Sequence, residues 1–197
     1  MENRREQILR HAKVVFARKG YHDTGVDDII ARARIARGTL YLYFNGKREV
    51  FGALLDRLMH ELDDAVRAVE LGAGKPAPLD QVRANVRRVL ELLVRDPTNV
   101  RLLFHQAASL DNESREVLQR FYDRVLGMIE MSLKHGVTMG LARPCDVTIV
   151  SSCIFGMIRE VVERLALHDA GRADLDAVAE EIVRFGLHGI LRTRSDA

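Results

Sequence analysis

Cysteine is scarce: Cys145 and Cys153 are the only two among 197 residues. Two thiols are too few for a disulfide framework and their spacing fits no zinc pattern, so no metal is expected. No apolar run approaches the roughly 18 residues that a membrane span requires. The N-terminal Met-Glu-Asn-Arg-Arg-Glu-Gln is charged and leads into an amphipathic pattern, where a secretory signal would have an uninterrupted apolar stretch. A cytoplasmic location is therefore expected. Catalytic signatures are missing as well, with no phosphate-cradling glycine loop, no His-Glu-x-x-His and no Gly-x-Ser-x-Gly. Neither an enzyme nor a cofactor is expected. Cys153 stands beside Ser152 in an apolar stretch, which points to an inert buried thiol. No segment carries the alternating pattern of a strand.

What remains is a chain with 47% hydrophobic and 29% charged residues and no low-complexity run, the composition of a globular protein. Its length allows a substantial core. The formal charge of +2 conceals an asymmetry: residues 1–52 carry eleven Lys or Arg against six Asp or Glu, whereas residues 53–197 carry nineteen against twenty-two. A basic head on a mildly acidic body suits a polyanion partner.

Helical periodicity fills the head. Ile8, Ala12, Val15 and Phe16 mark one face of a first helix from Arg4 to Lys19, stopped by Gly20. Thr24, three residues before Asp27, resembles a capping-box start for a second helix that buries Val26, Ile29, Ile30 and Ala33. A third helix, from Arg37 to Phe44, buries Leu40 and Phe44. Helices this short are unstable alone and must pack on the first. Two short helices around a tight turn form the helix-turn-helix arrangement, whose second helix can enter a major groove. Asn45 can then cap a long fourth helix from Lys47 to Leu71. Residues 72–78 gather glycine and proline into a loop. Five further helices are expected: Leu79 to Arg95, a sixth from Pro97 carrying Val100 to Ala107, Ser114 to His135, Asp146 to His168, and Leu175 to Arg192. The chain reads as all α, about nine helices, with a three-helix DNA-binding domain over residues 1–46 and a helical bundle over 47–197.

Gly20-Tyr21, Thr24, Asp27-Asp28-Ile29-Ile30 and above all Arg37-Gly38-Thr39-Leu40-Tyr41-Leu42-Tyr43-Phe44, followed by Lys47, resemble the N-terminal domain of the TetR family of bacterial transcriptional regulators. The physical chemistry of these residues is compatible with that resemblance. Arg37 can fork onto guanine or pair with a phosphate, and Thr39 can reach a base edge or a thymine methyl. Gly38 lets DNA come close, while Tyr41 and Tyr43 suit phosphate contacts at the groove edge. Arg34 is a further candidate contact. The resemblance implies that tyrosines near these positions and the lysine matching Lys47 contact the backbone, and that the threonine matching Thr24 starts the second helix near a phosphate. Leu42 departs from the polar or histidine residue often found there in the family.

In the body, the eighth and ninth helices are too apolar for a monomer's outer layer. Val150, Ile154, Ile158, Val161 and Leu165, with Leu175, Val178, Ile182 and Phe185, form seams that a second copy would satisfy in a four-helix interface. A homodimer reading a palindromic operator in double-stranded DNA follows, with its heads about 34–36 Å apart. The resemblance further implies a small-molecule effector held among helices four to seven. Candidate lining residues are Leu58, Leu62, Phe104, Phe121, Tyr122, Met128 and Met131, a set suited to an apolar or aromatic ligand. The expected function is a repressor released by that ligand. The alternative is a helical dimerisation module whose basic head meets an acidic protein or lipid partner.

Overall fold

The computed structural model describes residues 3–105, 110–168 and 173–190, with side chains to 186 in the last stretch. Helix α1 (Arg4–Lys19) starts where the Asn3 side chain accepts the Arg5 N–H, and it ends at Gly20, whose φ of 87° few other residues adopt. Then follow α2 (Val26–Ala33), α3 (Arg37–Tyr41), α4 (Lys47–Ala65), α5 (Pro78–Val94) and α6 (Pro97–Val100). A π-helical turn (Arg101–His105) continues α6, and α7 (Asn112–Thr138), α8 (Val147–Leu167) and α9 (Leu175–Ile190) complete the order. Among the described residues there is no strand, and the all-α expectation holds.

These residues divide into two units, one formed by those up to His60 with Asp96–Tyr122, the other by Glu61–Arg95 with those from Asp123 onward. In the first, α1 packs on α2, α6 and the π-helical turn. Its core holds Ile8, Leu9, Phe16, Ile29, Leu40 and Phe51, all fully buried. Phe16, Tyr21 and Phe51 form a three-ring cluster with centroids 5.2 to 6.1 Å apart. The Ser114 hydroxyl donates to Tyr21 Oη at 2.6 Å, so the start of α7 is tied to the connection between α1 and α2. Burial pushes the Tyr21 phenol up, with the Ser114 hydrogen bond and the Arg48 charge opposing that and Asp111 adding to it. Lys13 pairs with Asp96, which also accepts the Thr98 N–H and so caps α6.

The second unit is organised on α5, which packs against α8 and α9. Arg83 pairs with Asp80 at 2.5 Å and with Glu180, and Arg87 pairs with Asp176 at 2.8 Å.

Several elements depart from their expected bounds for local reasons. Helix α4 stops at Ala65 instead of Leu71, because α5 offers the following backbone better partners. Asn85 accepts the Arg67 N–H at 3.0 Å and donates to the Arg67 carbonyl at 2.8 Å. Gln81 treats Glu70 in the same way, at 2.9 and 2.7 Å, and the Arg88 Nε donates to the Ala65 carbonyl at 2.7 Å. The stretch 66–70 is thereby a strap laid along α5. Asn45 reaches into the first turn of α4 as a donor: its backbone and side-chain amides both donate to the Glu49 carboxylate, at 2.7 and 2.9 Å. Ala107, expected inside the sixth helix, and Arg192, the expected end of the ninth, lie outside the described residues. Cys153, expected to be buried, is exposed on α8.

Candidate nucleic-acid interface

Helix α2 begins one residue later than expected. Its N-cap is Gly25, whose N–H donates to the Asp28 carboxylate at 2.8 Å, so the box spans Gly25 and Asp28 instead of Thr24 and Asp27. Asp28 also accepts from Lys19 at 2.6 Å. That pairing with the Lys19 ammonium, together with the Gly25 N–H, holds the Asp28 carboxyl below the usual range. Thr24 is only 1% exposed and its hydroxyl donates to the Gly20 carbonyl at 2.6 Å. It locks the connection between α1 and α2 from inside.

The turn into α3 is made by Arg34, in the left-handed region at φ 53° and ψ 50°. The Ile35 N–H reaches back to the Ile30 carbonyl at 3.3 Å, the closure expected of such a stop. Arg34 itself is exposed. Helix α3 is a single turn and a half, shorter than the expected span to Phe44. The Tyr43 and Phe44 N–H groups both converge on the Leu40 carbonyl at 3.0 Å, which tightens the end and leads into Asn45 and Gly46. Leu40 and Phe44 are buried as expected, and they seat the helix on the head. Arg5 stands over the Phe44 ring at 5.3 Å.

The outward face carries Arg37, Gly38, Tyr41, Leu42 and Tyr43, all exposed, with Thr39 half-buried beside them. One Arg37 guanidinium nitrogen pairs with Asp27, an exposed residue at the start of α2. The guanidinium has five N–H groups, so this pairing orients Arg37 without using up its donors. A Cβ at Gly38 would meet nothing within 4 Å, so the helix surface there is bare backbone open to solvent.

Lys47 is placed differently from the other candidates. Its ammonium donates to the carbonyls of Tyr21 at 2.9 Å, His22 at 3.0 Å and Thr24 at 3.0 Å, and lies 4.6 Å from the centre of the Tyr21 ring. Three N–H protons meet three acceptors, which leaves none for a phosphate in this conformation. Instead of reaching outward, Lys47 fastens the first turn of α4 to the connection between α1 and α2. Sequence reasoning missed its partners because they are backbone atoms, silent in residue identity. It named Tyr21 and Asp27 without their partners, and it missed Ser114 as a partner altogether. Asp27 had a signal, being an acidic residue at the start of α2 ten residues before Arg37; Ser114 had none, since it is 93 residues from Tyr21.

Of the expected dimer residues, Leu165 and Ile182 are buried within the chain by neighbouring helices of their own unit and have little left to offer a partner. Val150, Ile154, Ile158, Val161, Leu175 and Val178 are half-buried, and Phe185 is 76% exposed. Among the expected effector contacts, Leu58, Leu62 and Phe121 are buried, and Tyr122 donates its hydroxyl to the Leu103 carbonyl at 2.7 Å. Phe104 and Met128 are half-buried. Met131 is 62% exposed on α7 and so is unsuited to lining an enclosed ligand.

A short exposed helix, set across a tight left-handed turn from a support helix and carried on a basic head, defines a helix-turn-helix DNA-binding protein. The family model for bacterial regulatory proteins of the tetR family matches residues 8–54, and that for the tetracyclin repressor-like C-terminal domain matches residues 75–190. The chain belongs to the TetR family and is a DNA-binding transcriptional regulator. It is 29% identical to the HTH-type transcriptional regulator TtgR of Pseudomonas putida over 93% of this chain and 89% of that one. Among solved structures it resembles the fatty acid degradation regulator FadR from Bacillus halodurans, with a TM-score of 0.79 and 24% identity, covering 95% of this chain and 96% of that one. The FadR regulator from Bacillus subtilis in complex with stearoyl-CoA gives 0.76 at 23% identity, covering 94% and 98%.

Proposed function

We propose that this regulator is a cytoplasmic homodimeric repressor that reads a palindromic operator through α3 and is released by a small apolar or aromatic effector. The observation that carries it is the outward face of α3. Arg37, Gly38, Thr39, Tyr41 and Tyr43 are presented together while Leu40 and Phe44 anchor the helix from behind. Residues 1–46 act as the reader and residues 47–197 as the pairing and sensing body. Arg37 supplies base recognition, Tyr41, Tyr43 and Arg34 supply backbone contacts, and Thr24 and Lys47 hold the reader in shape. Pairing is assigned to the outer sides of α8 and α9, where Phe185, Ile149 and Cys153 are exposed. An effector with an apolar chain is supported by Leu58, Phe104, Phe121 and Tyr122, buried or half-buried in the first unit, and by the likeness to a regulator whose structure holds stearoyl-CoA.

Selection of DNA from a random pool tests the reader: a palindromic consensus is expected, and recovery of no common sequence would overturn it. Thermal shift against long-chain acyl-CoA esters and aromatic compounds tests the sensor, a rise in Tm with simultaneous loss of operator binding being the expected result.

A further inference from the structure

Leu42 stands where polar chemistry would ordinarily face DNA. At 83% exposure it is the most exposed of the large hydrophobic side chains among the described residues, although Leu40 and Phe44 on either side are buried. The backbone places it there. Its N–H donates to the Gly38 carbonyl at 3.1 Å, so the two residues share one face of the helix a turn apart. Helical side chains lean toward the N-terminus, over the preceding turn. That turn is bare at Gly38, where an added Cβ would meet nothing within 4 Å. The isobutyl group of Leu42 is therefore an isolated apolar knob over open backbone, in the middle of the face assigned to the major groove.

Leucine has no donor or acceptor, so it cannot read the nitrogen and oxygen pattern of base edges. Thymine alone presents an apolar group in the major groove, its C5-methyl; cytosine carries only a hydrogen at C5, beside an N4 amino group that an apolar neighbour would strip of water without replacing its hydrogen bond. We infer that Leu42 is a specificity residue that contacts a thymine methyl and so selects an A·T pair at one position of each half-site. This rests on α3 being the reading helix, as proposed above.

The probe is the DNA that the full-length protein itself selects from a random pool. Each thymine of one half-site is replaced in turn by deoxyuridine, which keeps the pairing and removes only the methyl. At one position the wild-type protein should bind about fourfold more weakly, the worth of one buried methyl-sized group. Leu42→Ala should lose the discrimination at that position alone, and Leu42→Met, which keeps an apolar reach, should retain it. Because Leu42 touches no core, both variants should keep the wild-type Tm. Indifference of the wild-type protein to every deoxyuridine would overturn the assignment, and so would a penalty that persists in Leu42→Ala, since another residue would then be reading the methyl. A selection that yields no common sequence would overturn the reading helix itself, a failure visible before any deoxyuridine is introduced.

Discussion

Lys47 illustrates how a residue with an obvious charge can serve a less obvious purpose. An ammonium shared among three carbonyls and a ring face is a fastening, and its removal leaves the acceptors of Tyr21, His22 and Thr24 without it. Lys47→Met should destabilise the protein by about 2 kcal/mol in urea unfolding, as expected for losing charge-assisted hydrogen bonds at a part-buried site. A lysine that neutralises a phosphate would show itself in another way, its removal lowering the slope of log affinity against log salt by about 1. For Lys47→Met that slope should stay the same while affinity falls. Arg34 gives the opposite case, since its left-handed backbone is costly for any residue with a Cβ. Arg34→Gly should raise stability by about 0.5–1 kcal/mol, read from the urea midpoint, after allowing for the extra freedom that glycine has in the unfolded chain.

Among the elements, the strap after α4 shows where a sequence pattern misleads. Val66 and Val69 continue the apolar spacing of α4, and helical periodicity alone therefore extends the helix to Leu71. What ends it lies on α5, where Gln81 and Asn85, one turn apart, present their amides to the backbone of Glu70 and Arg67. A polar residue's partner cannot be read from its own neighbourhood. Asn85→Ala should cost about 1–2 kcal/mol and speed hydrogen exchange at the Arg67 amide while leaving the α1 amides protected. The pairing face of α8 and α9 is open to a similar element-level test. If a second copy covers it, Phe185→Asp should yield a monomer by sedimentation. Cys153, shielded in the dimer, should then react with maleimide in the variant far faster than in the wild type, with the labelled site identified by peptide mass. A wild-type dimer in which Cys153 reacts as fast as in the variant would place the interface elsewhere.

For the molecule as a whole, what was legible followed from periodicity and local chemistry. The all-α class, the run of α1 from Arg4 to Lys19, the buried Leu40 and Phe44 and the exposure of the α3 face were readable because each depends on spacing within one helix. Tyr21 with Ser114, Lys13 with Asp96 and the carbonyls around Lys47 were not, because they join segments distant in sequence. Three carboxyl groups held below their usual range all belong to the first unit, and that gives the protein a directional response to acid. Hydrogen bonding from Lys19 lowers Asp28 and the Ser114 N–H lowers Asp111. Burial pushes Asp96 up, but the Lys13 ammonium and the Thr98 donors outweigh it and the net shift is downward. A carboxyl with a lowered folded pKa contributes stability that is fully present above its unfolded value of about 3.9 and is lost as pH falls through the folded value. The first unit should therefore hold constant stability on this account above about pH 5 and lose it progressively below about pH 4. Hydrogen exchange followed by mass spectrometry should register that loss in α1 and α6, which Lys13 and Asp96 connect. Asp96→Asn keeps a side chain able to cap α6 but gives up the ion pair with Lys13, a half-exposed contact that contributes about 1 kcal/mol or less. The variant should be slightly weaker than the wild type at pH 7 and equal to it near pH 2. A difference that stayed the same size across that range would mean that the Asp96 charge is not what holds α1 to α6.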